Sequence, residues 1–107
     1  MRVRDAWTLW GKIEDEQQVY EIRRGPDAPV TVWRGKCRRP IGYVTDYELG
    51  MARRGSVPVI CLDPPVIAEL AGDVINLRQA IGKLIRLDNP GAVVGMRDLV
   101  VKLPAPA

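Results

Sequence analysis

Between Asp63 and Leu87 the chain places Ile67, Leu70, Val74, Leu77, Ile81 and Leu84 at alternating steps of three and four residues. That spacing lines one side of an α-helix and sustains a heptad seam. Val66, Ala71, Ala80 and Ile85 widen the stripe beyond a narrow coiled-coil line. Asp63 as N-cap and Pro64 at the first helical position start the helix, and Asp88-Asn89-Pro90-Gly91 stops it. Gly72 followed by Asp73 is a possible break with a fresh cap, but the seam passes through it without a change of phase. The spacing therefore predicts one helix over 64–87. A helix with so broad an apolar side must lie on something, and the rest of the chain has to supply it.

What precedes it reads as strands. Residues 6–13 (AWTLWGKI) and 18–24 (QVYEIRR) are rich in β-formers and flank Glu14-Asp15-Glu16, the pattern of a hairpin with a charged turn. Residues 25–29 (GPDAP) form a loop. In VTVWR (30–34), Val30 and Val32 share one face while Thr31 and Trp33 share the other. A further strand follows at 41–44. Thr45 and Glu48 then write a capping box, with Val44 and Leu49 as the hydrophobic staple. Arg53 and Arg54 complement the helix C-terminus and Gly55 supplies a left-handed closing residue, so a short helix is expected over 46–54. VPVICL (57–62) reads as a buried strand despite Pro58. AVV (92–94) and DLVVKL (98–103) supply a last strand or strand pair, and 103–107 a frayed tail.

The sum is an α+β domain over residues 1–107: a mostly antiparallel sheet of five or six strands, with the short helix (46–54) and the long helix (64–87) packed on one face. At 47% apolar and 27% charged residues, the chain has the composition of an ordinary globular domain rather than a disordered one. The N-terminal cations have no apolar stretch behind them and the longest apolar runs are too short to span a bilayer, so a cytoplasmic protein without membrane contact is expected.

Chemistry is constrained by what is missing. There is no histidine, which removes the commonest general base and metal ligand and the usual partner of a Ser or Cys nucleophile. The two cysteines, Cys37 and Cys61, lack metal-ligand spacing and read as free thiols, Cys61 as a small buried hydrophobe. Lys36, Arg38 and Arg39 around Cys37 favour a thiolate, but no base exists to orient it. Tyr43 also stands where a phosphatase loop would need its arginine, six positions on. Glu14, Asp15 and Glu16 read as a solvated turn. No catalytic set, metal site or cofactor is expected.

The basic content is uneven. Residues 23–54 hold eight cations against three anions, whereas 55–107 balance at five against five within a net charge of +3. Trp33, Tyr43 and Tyr47 interleave with Arg34, Lys36, Arg38, Arg39, Arg53 and Arg54. Arginine with Trp and Tyr is the composition of a protein-binding hot spot. The leading expectation is a non-enzymatic interaction module, adaptor or inhibitor in type, using these nine residues as its contact surface. The alternative is a regulator that binds nucleic acid through the same surface, since an Arg-aromatic mixture also suits RNA or single strands. The seam Ile67, Leu70, Val74, Leu77, Ile81 and Leu84 is assigned to a homodimer interface, flanked by Glu69, Arg78, Lys83 and Arg86, because so many aliphatic side chains exceed what one small sheet covers.

Overall fold

The computed structural model describes residues 7–25, 29–97 and 100–104 of the chain. In order, its elements are β1 (Thr8–Glu14), β2 (Val19–Arg24), β3 (Val30–Arg34), β4 (Gly42–Val44), α1 (Asp46–Arg53), β5 (Cys61–Leu62), α2 (Pro64–Leu70), α3 (Asp73–Leu87), β6 (Ala92–Gly95) and β7 (Val101–Lys102). The class is α+β, as the sequence implies. Seven strands form one open sheet in the order β5-β4-β3-β2-β1-β6-β7, antiparallel throughout except where β6 runs parallel to β1. A parallel neighbour needs a long crossover, and the α2–α3 segment provides it across one face.

The alternation of apolar residues explains which face that is. Ile13, Ile22, Val30, Val32, Val44 and Val94 turn toward α3 and are buried with its Leu77, Ile81, Leu84 and Ile85. α3 approaches so closely that a Cβ on Gly11 would stand 2.6 Å from the Leu84 Cδ1. A glycine is therefore required there, beside the register shift between Leu9 and Gly11. Gly82 has a similar reason, since a Cβ would meet the Pro58 ring at 3.0 Å.

The sheet has two distinct ends. At one lie the β1–β2 turn, the β3–β4 turn and the start of α3, joined by Gly35 N–H donating to the Val19 carbonyl at 3.0 Å and by Arg97 reaching both Asp15 and Asp73. At the other lie the start of β1, the end of β4 (Val44 opposite Val30), α1 and the end of α3. Arg86, in the last turn of α3, donates there to the Ala52 carbonyl of α1 at 3.4 Å.

Two expectations are corrected by tertiary context. The helix expected over 64–87 is broken: Ala71 adopts φ 47°, ψ −122°, separating α2 from α3. A continuous helix of that length would run to about 36 Å, whereas β1, the longest strand with seven residues, spans about 23 Å. The fifteen residues of α3 match the sheet; beyond them the chain turns, and α2 reaches the core only through Leu70 and Val66. Likewise only Cys61 and Leu62 of the strand expected over 57–62 join the sheet, and Val57 and Val59 are exposed. Pro58 has no N–H to give a ladder. Its neighbours are satisfied by side chains instead: Val59 N–H donates to Glu48 Oε2 at 3.0 Å, and Arg78 Nε donates to the Pro58 carbonyl at 2.8 Å.

At the C-terminal side Val101 and Lys102 form β7, and Leu103 and Pro104 are exposed without regular structure. Residues 26–28 of the expected loop, 98–99 of the expected strand and 105–107 of the expected tail lie outside the described residues. Among the described residues no helix is long and apolar enough to cross a membrane.

Candidate functional site

The β3–β4 turn, residues 35–40, is held firmly at its roots. Gly35 takes φ +57°, a left-handed conformation that favours glycine. Cys37 N–H donates to the Arg34 carbonyl at 3.2 Å, and Ile41 N–H to the Val32 carbonyl at 2.7 Å. Between these anchors Lys36, Cys37, Arg38, Arg39 and Pro40 are all exposed. None of the ion pairs among the described residues involves Lys36, Arg38 or Arg39.

Most other arginines are engaged within the fold. Arg23 pairs with Glu21 at 2.8 Å and donates to the Trp7 carbonyl. Arg34 pairs with Glu69 at 2.7 Å, and this charged hydrogen bond pushes the Arg34 pKa above its ordinary value. Arg24 lies over the Trp10 ring at 6.0 Å. Arg78, Arg86 and Arg97 bond carbonyls or carboxylates. The turn thus concentrates cations that the fold itself does not use.

The expected contact surface is otherwise dispersed. Trp33 is 0% exposed and cannot serve as a contact residue. It lies on the face away from α3, outside the main core. Its Nε1 donates to Thr31 Oγ1 at 2.8 Å, and that hydroxyl donates to the Arg23 carbonyl at 2.9 Å. Trp7 packs edge-on against it, with ring centroids 6.2 Å apart. A buried indole must find an acceptor, and Thr31, two residues away on the same face, provides one. Arg34 points to the opposite face and to α2. Tyr43 is exposed beside Cys61, its cross-strand neighbour; a hydrogen bond to the Cys61 sulfur raises its phenol pKa. Tyr47, Arg53 and Arg54 are exposed on α1, at the end of the sheet opposite the turn. One continuous Arg/Trp/Tyr surface is therefore not formed.

The seam assigned to a dimer interface is corrected in the same way. Leu77 and Ile81 are 0% exposed, Leu84 1% and Leu70 8%, all packed in the core of a single chain. Val74 is half-buried against that core, and only Ile67, at 46%, stays open. The broad apolar side of α3 is covered within one chain because α1 and the 56–60 segment lie along its flank. Cys61, expected to be buried, is exposed like Cys37: at the edge strand its side chain shares the outer face with Tyr43.

Other concave places offer little chemistry. A cleft near the β1–β2 turn is lined by Glu14, Asp15, Arg97 and Lys102, but these already pair with one another. No group of three His, Cys, Asp or Glu side chains among the described residues is placed to hold a metal ion. Tyr20 is a core residue whose phenol pKa is raised by burial, partly opposed by Arg34. Two residues important here escaped the sequence reading. Glu69 looked like a helix flank, and nothing in the sequence tied it to Arg34; Trp7 carried an aromatic in a strand pattern, without a signal that it would cover Trp33.

No protein-family model, curated protein or solved structure matches the chain.

Proposed function

We propose that the protein is a small non-enzymatic interaction module, adaptor or inhibitor in type, that engages an acidic partner protein through the turn bearing Lys36, Arg38 and Arg39. The observation that carries this reading is the contrast among the cations: those of the turn are exposed and without ion pairs among the described residues, on a backbone fixed at both roots, while most other described arginines have partners inside the fold. Exposed cations on a turn whose backbone is anchored at both roots are suited to recognising anions, since little backbone order is lost on binding. The reading places the protein in the cytoplasm, with Cys37 as a bystander.

A protein partner is preferred to nucleic acid because burial of Trp33 removes the stacking face nearest the turn, and stacking is what adds to charge in single-strand recognition. The decisive comparison is partner capture from host extract by wild type, Arg38→Glu with Arg39→Glu, and Cys37→Ser, with and without nuclease. The reading expects capture that survives nuclease, is abolished by the double charge reversal at unchanged melting temperature, and is unaltered in the serine variant. Capture lost to nuclease, with a steep decline as salt rises, would instead establish the nucleic-acid alternative.

A further inference from the structure

Arg34 stands at the root of the basic turn, immediately before Gly35 and Lys36, yet it faces away from solvent more than they do. Its side chain is 26% exposed and its guanidinium bonds Glu69 Oε2 at 2.7 Å, whereas the Glu69 side chain is 58% exposed. Glu69 lies on α2, the short helix that folds back at Ala71. The turn thus already has a carboxylate at its edge, offered by a helix of the same chain. We propose that Glu69 is an internal competitor for the basic turn, holding Arg34 against α2 until a carboxylate of an acidic partner segment displaces it and recruits Arg34 as the fourth cation of the site.

This inference rests on the turn being the partner surface, and it specifies what the turn recognises. The bound carboxylate shows the chemistry Arg34 accepts: a guanidinium fork meeting a carboxylate oxygen. Displacement is feasible because the Glu69 side chain is more than half exposed. A surface ion pair of this exposure biases an equilibrium by no more than about five-fold, so a partner with several carboxylates overcomes it by also engaging Lys36, Arg38 and Arg39. α2 has few other restraints on the sheet: Leu70 is buried and Val66 half-buried, while Ile67 and the remaining outer residues face solvent. Losing the Glu69 contact therefore leaves the core formed by α3 in place.

The test uses the full chain and two labelled probes, a polyglutamate peptide and a mixed-sequence oligonucleotide of matched charge, measured by anisotropy at low salt. Glu69→Gln is expected to tighten peptide binding about two- to five-fold. The same substitution in an Arg34→Gln background is expected to have no effect, because the competitor acts only through Arg34. Equal tightening in both backgrounds would reduce the effect to net charge and overturn the proposal, as would no change in Glu69→Gln. Peptide binding that is indifferent to Arg38→Glu with Arg39→Glu would overturn the turn as the site, whatever Glu69 does. Stronger binding of the oligonucleotide than of the peptide, with the same response to Glu69→Gln, would overturn the carboxylate partner in favour of a phosphate one.

Discussion

α1 and the α2–α3 segment were written in the sequence with similar clarity and met different fates. α1 has its signals at its ends: Thr45 Oγ1 accepts from Glu48 N–H at 3.2 Å, and Gly55 closes the helix at φ +105°. These contacts span a few residues, so nothing distant can cancel them, and the helix lies where it was expected. The α2–α3 segment has its signal along its side, a seam that specifies a burial direction but not a length. Its length was decided by the sheet beneath it, and it broke over Ala71 and Gly72, with the left-handed φ at the alanine and not at the glycine. End signals resist tertiary context, and side signals submit to it. Even in α1 one local bond was redirected: Glu48, expected to reach back to the N-cap, binds the Val59 N–H across to the next segment.

The comparison is tested most forcefully along the seam. Leu84→Ala should cost about 2–5 kcal/mol, the usual range for a truncated buried leucine, while Ile67→Ala should stay within about 0.5 kcal/mol, as an exposed position does. Chemical denaturation of both variants measures this directly. Similar, concentration-dependent losses at the two positions would mean that the seam acts as a unit between two chains.

Next in size is the cap. Thr45→Ala should lower stability by about 1 kcal/mol, read as a lower denaturation midpoint with an unchanged slope. An unaltered midpoint would show that α1 is held by packing and not by its end.

The break can be addressed through Ala71. A non-glycine residue at φ 47°, ψ −122° carries about 1–3 kcal/mol of backbone strain. Glycine relieves that strain but adds about 0.5–1 kcal/mol of chain entropy to lose on folding. Ala71→Gly should therefore stabilise the protein by about 1 kcal/mol. A destabilised variant would mean that the helix continues through residue 71, where alanine is the better residue. The smallest effect is expected for Glu48→Gln, below about 0.5 kcal/mol, because the amide oxygen still accepts from Val59 N–H; a larger loss would assign the carboxylate a charge-dependent role in α1.

Legibility of the candidate site followed the same division. Lys36, Arg38 and Arg39 were readable as an exposed basic turn because a Gly-Lys-Cys-Arg-Arg-Pro stretch between two strands has no apolar residue to bury. The roles of Trp33 and Arg34 were not. They are adjacent on β3, and alternation alone sends one to each face; whether a face is covered depends on Trp7 from one direction and on Glu69 from the other, at separations no local pattern spans.

By itself the sequence determined the α+β class, the acidic β1–β2 hairpin, both ends of α1 and the exposure of the turn between β3 and β4, all of which rest on period, capping and turn chemistry within a few residues. Tertiary structure alone decided that β6 lies parallel beside β1, that the helix stops where the sheet does, that Leu77, Ile81 and Leu84 belong to the core, and that Arg34 is taken by α2 while Arg38 and Arg39 stay exposed. The physical reason is one of range. Caps and turns are satisfied by near neighbours, whereas burial and charge pairing are settled by whichever surface arrives, and that surface comes from segments distant in the chain.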